Sequence, residues 1–510
     1  MVELYQHNEG FIHFEASYSE RKVVFSVLRY EHPDKEYSPA YRDNKWDGIV
    51  RFYDKTKQNF PSGFKSIVIE ALDSKKIAYE SYRENEFVTK LEFSKEILSR
   101  KYQHKAIKQF FREKHGIIKV PTRGGKTFIA AEIIRHIKHD NTRNTLFIVD
   151  TLDLLLQAKK DIASHIEGMT IDDIGEIRGD AFNIQQITIA TIQTLQSITS
   201  GAKRGNKAMT KESIKAKNLR KKTLLNYIKT IHLLIVDECH EYSSKSRLSF
   251  ISRFLKIAEF KLFISATPFK SENELDNLNL RTVCGDIIYE IKESDLKKQG
   301  YLSEDIVLLI NIDHEDNKNI SLEEGDDDYN EYLKQIITHN FYRNTIIINF
   351  AEILRKYVLK TLILFSRKEH GYYIKSITGD AFVSGDTALD DRTFIRTNFL
   401  KKKGGVLLAS DVFKKGITLP EVQIMINAGG GLEQSLVIQK KGRVLGVTET
   451  KTKALMIDFI DNYRYFSEHS LNRAEVYIDS VGMDKIHVLD SADKEFYPMF
   501  RNIIENWFDL

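Results

Sequence analysis

Between the apolar run GIIKV and the amphipathic stretch FIAAEIIRHIKH lies VPTRGGKT, residues 120–127. Paired glycines let backbone N–H groups approach phosphate closely, and the N-terminus of a following helix adds a favourable dipole. Thr122, Gly124 and Gly125 are therefore candidates to cradle a nucleotide's phosphates, Lys126 to reach its terminal phosphates and Thr127 to hold Mg²⁺. Val120 stands where the general G-x-x-x-x-G-K-T pattern has its first glycine, so the strand-and-helix context carries the inference more than the spacing does. A second run, HLLIVDECH at 232–240, delivers Asp237 and Glu238 at a strand exit. One carboxylate there can ligate Mg²⁺ and the next can orient and deprotonate an attacking water, with His240 linking the pair to its surroundings. In a third, KLFISATPF at 261–269, Ser265 and Thr267 can bridge the carboxylates to neighbouring elements. Alone, each could be a solvated turn. In this order they point to binding and hydrolysis of ATP with Mg²⁺.

The elements that must position these residues are short, continuous Val/Ile/Leu runs: GIIKV, TLFIV, ITIAT, HLLIV and KLFIS, then TLILF, AFVSG, GVLLAS, QIMINAG and ALMIDF. Runs without polar alternation suit parallel strands covered on both faces by helices. The expected fold class is α/β, with two tandem parallel-sheet domains whose functional residues lie beyond the C-terminal ends of the strands. The first 96 residues have another texture, with alternating segments KVVFSVLRY and WDGIVRFYD and a helix expected from Gly63, which predicts a small α+β domain. The expected division is 1–96, 97–292 with a basic insertion near 200–222, 293–480, and a C-terminal helical extension over 481–510.

At 510 residues the chain is too long for one ordinary core. No apolar run approaches the roughly 20 residues that cross a bilayer, and MVELYQHNEG is not a secretory leader, so a cytoplasmic protein without membrane contact is expected. Cys239 and Cys284 form neither a disulfide framework nor a zinc-ligand pattern and are expected as reduced thiols. The net charge of +4 says little, but its distribution says more. Residues 201–222 hold nine Lys or Arg against Glu212 alone, with Lys203, Arg204, Lys207 and Lys211 as candidates to touch nucleic-acid phosphates; a solvated helix face is the competing reading. The acidic 314–328 stretch is expected as a surface loop, because Lys318 occupies the place where a calcium loop needs glycine. Near Trp46, Arg42 and Arg51 are further candidate nucleic-acid contacts, although a Trp before Asp-Gly also suits a turn anchor.

The ordered motifs resemble helicase superfamily 2, and within it the phage UvsW-type helicases, from about residue 97 to residue 460. SRKYQHKAI (99–107) resembles the adenine-reading segment, with Arg100 and Gln103; PTRGGKT resembles motif I, TLDLLLQ (151–157) motif Ia, and ATIQTL (190–195) the strand-contacting motif after it. DECH resembles motif II, SAT motif III, LILFSR (362–367) motif IV, SDVFKKGITLP (410–420) motif V and QKKGRVLG (439–446) motif VI. YRDNKWDGIVRFYD (41–54) resembles the WDG-bearing segment of UvsW-type N-terminal domains. The resemblance implies two RecA-like domains with ATP between them, Gly416, Gln439 and Arg443 serving the nucleotide from the second. Thr151, Gln157, Thr191, Gln193, Ser366, Arg367 and Lys414 would contact backbone phosphates, making binding sequence-indifferent and salt-sensitive. It further implies a monomeric, phage-encoded motor in the host cytoplasm, acting on branched or partly single-stranded DNA, with RNA possible in hybrids.

Of three departures, two carry little weight: Asp150 replaces the proline common before motif Ia, and Thr418 stands where motif V often has an acidic residue or serine. The third matters, because Gly446 stands where motif VI carries a second arginine. An arginine finger is worth about 10³ to 10⁵ in rate, or about 4–7 kcal/mol. Three accounts follow: Arg443 with Gln439 suffices; Lys440, Lys441, Lys451 or Lys453 substitutes, though without the planar fork of arginine; or the chain is a nucleotide-gated clamp with impaired hydrolysis. An RNA helicase is the other alternative, since both kinds of motor track a phosphate backbone.

Overall fold

The apolar runs form two parallel sheets in the computed structural model, which describes residues 1–510 except 7–9, 84–99, 139–142, 201–210, 270–272, 314–328, 411–418, 432–439 and 443. Two compact units divide the chain: Met1–Pro121 with Gly125–Ile291, and Thr122–Gly124 with Lys292–Leu510.

In the first unit, β1 (Val2–Gln6), β2 (Phe11–Glu15), β5 (Asn59–Pro61) and β6 (Tyr79–Arg83) make a four-stranded sheet, and β3 (Arg29–Glu31) pairs with β4 (Ile49–Arg51). The alternating texture of KVVFSVLRY proves misleading, because Tyr18–Val27 is a helix. Ser17 Oγ accepts the Glu20 N–H while Glu20 accepts the Ser17 N–H, and this capping box starts the helix. Val24 and Leu28, four residues apart, are fully buried with Leu4, Phe14 and Phe60. The expected helix after Gly63 spans Lys65–Ser74. This core also receives Leu275 and Leu278. A polar seam fastens it further: Arg281 Nη1 donates to Gly63 O at 3.2 Å and to Asp286 at 2.8 Å, and the Ser66 N–H donates to Asp286 at 3.2 Å.

The larger sheet of this unit runs β10-β9-β11-β8-β12-β13-β7-β14, built from β7 (His115–Lys119), β8 (Asn144–Val149), β9 (Ile174–Arg178), β10 (Ala181–Asn183), β11 (Ile187–Thr191), β12 (Ile231–Asp237), β13 (Phe260–Ser265) and β14 (Ile287–Glu290). All pairs are parallel except the β9–β10 hairpin, whose turn holds Gly179 and Asp180. Pairing sets Thr191 opposite Val149, Asp237 opposite Ile264, and Ser265 opposite Lys119, so the candidate residues share the C-terminal edge.

Helix Lys126–Lys138 lies against helix Leu152–His165, and buried Glu132 joins them. Its carboxylate accepts from His165 Nε2 at 2.9 Å and from Arg135 at 2.9 Å. Burial raises its pKa, but the two donors outweigh burial and hold it at about 2 against an ordinary 4.5. A carboxyl lowered in the folded state contributes stability above its ordinary value and loses it as pH falls toward the folded one. Denaturant midpoints measured between pH 7 and pH 2 should therefore fall more steeply in the wild type than in Glu132→Gln, the two curves converging below about pH 4.5. Parallel curves would remove this role from Glu132.

In the second unit the sheet order is β17-β18-β16-β19-β20-β15-β21, from β15 (Glu304–Asp313), β16 (Lys360–Phe365), β17 (Ala381–Val383), β18 (Gly405–Ser410), β19 (Ile424–Asn427), β20 (Lys453–Asn462) and β21 (Ile486–Asp490). The last thirty residues are more than a helical extension. β21 adds in parallel to β15, and helix Phe496–Phe508 buries Phe496, Phe500 and Ile504 against Phe350, with Phe350 and Phe500 stacked at 4.0 Å. Two buried ion pairs brace the ends of β19 and β20: Arg343 with Asp461 at 2.9 Å, and Arg473 with Asp458 at 3.1 Å.

Candidate nucleotide and nucleic-acid site

β7 leads into the turn holding Thr122 and Gly124, and the helix begins at Lys126. Gly125 has φ +80, a conformation that L side chains rarely adopt, and a Cβ there would lie 2.3 Å from Gln103 Nε2. Gln103 is itself buried, and its Oε1 accepts the Arg100 N–H at 2.9 Å. The segment that resembles the adenine-reading motif is thus packed directly onto the candidate phosphate loop, and glycine is the residue that allows both the turn and the contact. Gly125→Ala should weaken nucleotide affinity at least about tenfold, an effect of roughly 1.4 kcal/mol or more, as titration with a fluorescent ATP analogue would read; unchanged affinity would mean that the loop has slack to yield.

At the end of β12, Glu238 adopts a left-handed backbone conformation (φ +49), uncommon outside glycine and frequent at functional sites. Its carboxylate pairs with Lys126 Nζ, accepts from Ser265 Oγ at 3.4 Å and lies 3.5 Å from His240 Nδ1. His240 Nδ1 and Ser265 Oγ share a hydrogen bond of 2.8 Å, and the Thr267 N–H donates to Ser265 Oγ at 3.0 Å. Thr267 Oγ1 is buried without a partner. The first sequence signal, more than a hundred residues before the other two, therefore meets them through side-chain contacts. Burial pushes the Asp237 carboxyl up to about 6, with Glu238 adding and Lys126 opposing. Burial also acts on Glu238, but Lys126 and His240 outweigh it and lower its pKa. Lys126 is raised despite burial, by Glu238 and then Asp237.

The donor set suits Mg²⁺ held with a nucleotide. Among the described residues no His/Cys/Asp/Glu group could hold a metal ion by itself. One carboxylate, Asp237, and one hydroxyl, Thr127, match a cation that keeps waters and takes its other ligands from phosphate oxygens.

On the same edge, Thr151 caps helix Leu152–His165, its Oγ1 accepting the Leu154 N–H at 3.3 Å. Thr191 Oγ1 donates to Thr194 Oγ1 at 2.8 Å, and Gln193 donates to Asp150 at 3.0 Å. Gln157 lies one turn along the capped helix and makes a long 3.5 Å contact to Asp161. In the second unit, Ser366 follows β16 and sits so close to Gly429 that a Cβ there would lie 2.2 Å from its Oγ. Arg367 donates to Asn330 at 2.6 Å. Around Trp46 the turn-anchor reading fits best: its indole N–H donates to Ile49 O at 3.0 Å, Arg51 is paired with Asp47, and exposed Arg42 donates to Tyr37 O at 2.9 Å. Lys203, Arg204, Lys207, Lys414, Gly416, Gln439 and Arg443 lie outside the described residues, as does the Lys211 side chain, although the helix Lys211–Ile228 begins there.

Gly446 is buried, and its carbonyl accepts from Ser303 Oγ at 3.1 Å and from Lys451 Nζ at 2.9 Å. A Cβ there would meet Pro420 Cα at 3.1 Å. The account in which a nearby lysine substitutes for the missing arginine meets four ammonium groups that already have partners. Lys440 donates to Asn427 at 2.8 Å, Lys441 pairs with Glu293 at 2.6 Å and with Asp305, Lys451 donates to the carbonyls of Pro420, Val444 and Gly446, and Lys453 pairs with Asp509. All four ammonium groups are committed to partners inside the second unit. Their proximity in sequence to Arg443 did not reveal these partners, most of which lie far away along the chain.

A glycine–lysine loop, a carboxylate pair and a hydroxyl-bearing strand end on one sheet, followed by a second parallel sheet, are the parts of an ATP-hydrolysing enzyme. The chain belongs to helicase superfamily 2, a class of ATP-hydrolysing enzymes: residues 96–270 match the family described as Type III restriction enzyme, res subunit, and residues 328–446 match the Helicase conserved C-terminal domain. Among particular proteins it is similar to the ATP-dependent DNA helicase uvsW of Enterobacteria phage T4, with 23% identity over 91% of this chain and 94% of that protein. It is also similar to the DNA 3'-5' translocase XPB2 of Sulfurisphaera tokodaii, with 25% identity over 71% of this chain and 81% of the relative. In fold it resembles S. cerevisiae Dbp5 bound to RNA and ADP BeF3, with a TM-score of 0.55 and 14% identity over 80% of this chain and 93% of that one. Among the described residues no helix is long and apolar enough to cross a membrane, and both cysteines are buried and free.

Proposed function

We propose that this chain is an ATP-dependent DNA motor that remodels branched DNA, such as forks and recombination intermediates, acting as a monomer in the cytoplasm of a phage-infected bacterium. The observation that carries the reading is the joining of Lys126, Glu238, His240 and Ser265 on the same sheet edge as Thr151, Thr191 and Gln193. Lys126 binds the terminal phosphates in exchange for its pairing with Glu238, and Glu238 then orients and deprotonates the attacking water. Asp237 and Thr127 would hold Mg²⁺, which would supply charge neutralisation at the phosphates when bound. Ser265 and His240 hold the Glu238 carboxylate in position, and Arg443 with Gln439 serves the nucleotide from the second RecA-like domain. Thr151, Gln157, Thr191, Gln193, Ser366, Arg367 and Lys414 follow the backbone of one strand, while the basic insertion and Arg42 with Arg51 meet the duplex arms. Cycles of nucleotide-driven closure and opening advance the motor.

The likeness along most of the chain to a phage DNA helicase supports DNA over RNA and a phage setting. Binding and strand displacement should be compared on a four-way junction, linear duplex, single-stranded DNA and RNA of equal length. Preference for the junction is expected; equal activity on RNA would favour the RNA-helicase reading.

A second reading rests on Gly446. Its buried carbonyl is fastened by Ser303 and Lys451, and the four nearby lysines are committed elsewhere. Should Arg443 not suffice, the chain is a nucleotide-gated clamp that binds DNA and scarcely turns over ATP.

A further inference from the structure

Asp150, the residue that replaces a proline before motif Ia, makes contacts that no motif accounts for. Its Oδ1 accepts from Gln193 Nε2 at 3.0 Å and also lies 3.1 Å from the Arg247 guanidinium. Arg247, on helix Lys245–Ile251, donates through Nη1 to Glu241 O at 2.6 Å and covers the buried Tyr242 ring at 5.6 Å. Glu241 and Tyr242 belong to the turn directly after DECH, where the Glu241 N–H donates to Glu238 O at 2.9 Å and His240 holds Ser265. A continuous polar path thus runs from Gln193 through Asp150 and Arg247 to the backbone that carries Glu238.

We propose that Arg247 is a positioning residue that, through Asp150, transmits occupation of the nucleic-acid track to the hydrolytic carboxylate. The proposal rests on the motor reading above. A phosphate arriving at Gln193 competes with Asp150 for the Gln193 amide. As that amide turns to the phosphate, Asp150 Oδ1 loses one of the two donors it holds, and its pairing with Arg247 changes. The guanidinium is simultaneously held by the Glu241 carbonyl and the Tyr242 face, so a change in its pairing moves the turn that sets Glu238. A planar, multi-donor cation is required, because one group must serve a carboxylate, a carbonyl and a ring at once.

The test is steady-state ATP hydrolysis with and without oligothymidylate, together with oligothymidylate affinity by fluorescence anisotropy, for the wild type, Arg247→Ala, Arg247→Lys, Asp150→Asn and Asp150→Asn/Arg247→Ala. Couplings between sites commonly amount to about 5- to 150-fold. Arg247→Ala should keep basal turnover and DNA affinity within about twofold and lose at least about fivefold of the stimulation by DNA. Asp150→Asn, nearly isosteric, should lose a similar factor, Arg247→Lys should recover only part, and the double variant should be no worse than the worse single one. Basal and stimulated rates falling by the same factor would make Arg247 merely structural and overturn the proposal. So would stimulation equal to that of the wild type. A wild-type chain that DNA does not stimulate would overturn the motor reading as well, which separates the two failures.

Discussion

Glu238→Gln should lower DNA-stimulated ATP turnover by about 10²- to 10⁴-fold, the usual contribution of a positioned general base, while nucleotide binding is retained. The geometry gives the reason. Glu238 leaves β12 in a left-handed conformation and is held from three sides by Lys126, Ser265 and His240. The amide of glutamine keeps the shape and a hydrogen-bonding oxygen but cannot take a proton from water. Because it no longer bears the charge that pairs with Lys126, affinity for ATP should hold or rise. Single-turnover hydrolysis beside equilibrium binding of a fluorescent analogue separates the two effects. A loss of binding parallel to the loss of turnover would place Glu238 in the nucleotide pocket rather than on the attacking water.

Arg343→Ala should destabilise the second unit by about 3–5 kcal/mol, the cost of leaving one partner of a buried ion pair uncompensated. Arg343 is fully buried; it donates to Asp461 at 2.9 Å and to Ala428 O at 2.8 Å, and its guanidinium lies 4.3 Å from the Phe459 ring centre. Deletion removes the cation paired with a buried carboxylate and the donor to a buried carbonyl. For a unit of this size each kcal/mol moves the midpoint by about 2–4 °C, so a fall of roughly 6–20 °C is expected in thermal unfolding. Arg343→Lys should not rescue it, since one ammonium cannot serve the three contacts of the planar fork. A fall of less than about 2 °C would show that Asp461 finds another partner or solvent. Ala428 leads into the Gly429–Gly431 turn beside Ser366, so if Ser366 contacts a nucleic-acid phosphate as proposed, the variant should also weaken DNA binding.

The central strands were legible because parallel strands buried on both faces are written as unbroken Val/Ile/Leu runs, and the meeting of Lys126, Glu238, His240 and Ser265 was foreshadowed because each candidate follows such a run. β21 escaped notice because its edge position leaves His487, Val488 and Asp490 exposed, so IHVLD lacks the unbroken apolar run of the central strands. The helix Tyr18–Val27 was hidden by a valine-rich stretch that alternates like a strand, although its Ser17–Glu20 box was visible. What pattern reading could not supply were pairings across sequence: Arg343 with Asp461, Asp150 with Arg247, and the partners of Lys440, Lys441, Lys451 and Lys453. Those depend on which strand exits become neighbours. Arg247 lies ten residues past Asp237 in a segment with no motif of its own, and only the contact to Asp150 gives it meaning.

The central claim is that nucleic acid drives ATP hydrolysis at the Lys126–Glu238 site although motif VI carries Gly446. The most direct measurement is steady-state phosphate release by the unmodified chain with saturating single-stranded DNA and without it, beside Lys126→Ala. Strong stimulation that Lys126→Ala abolishes is the predicted result, and it would mean that Arg443 suffices in the second domain. A chain that binds both ATP and DNA yet releases phosphate at the same slow rate with and without DNA would contradict the claim and leave a nucleotide-gated clamp.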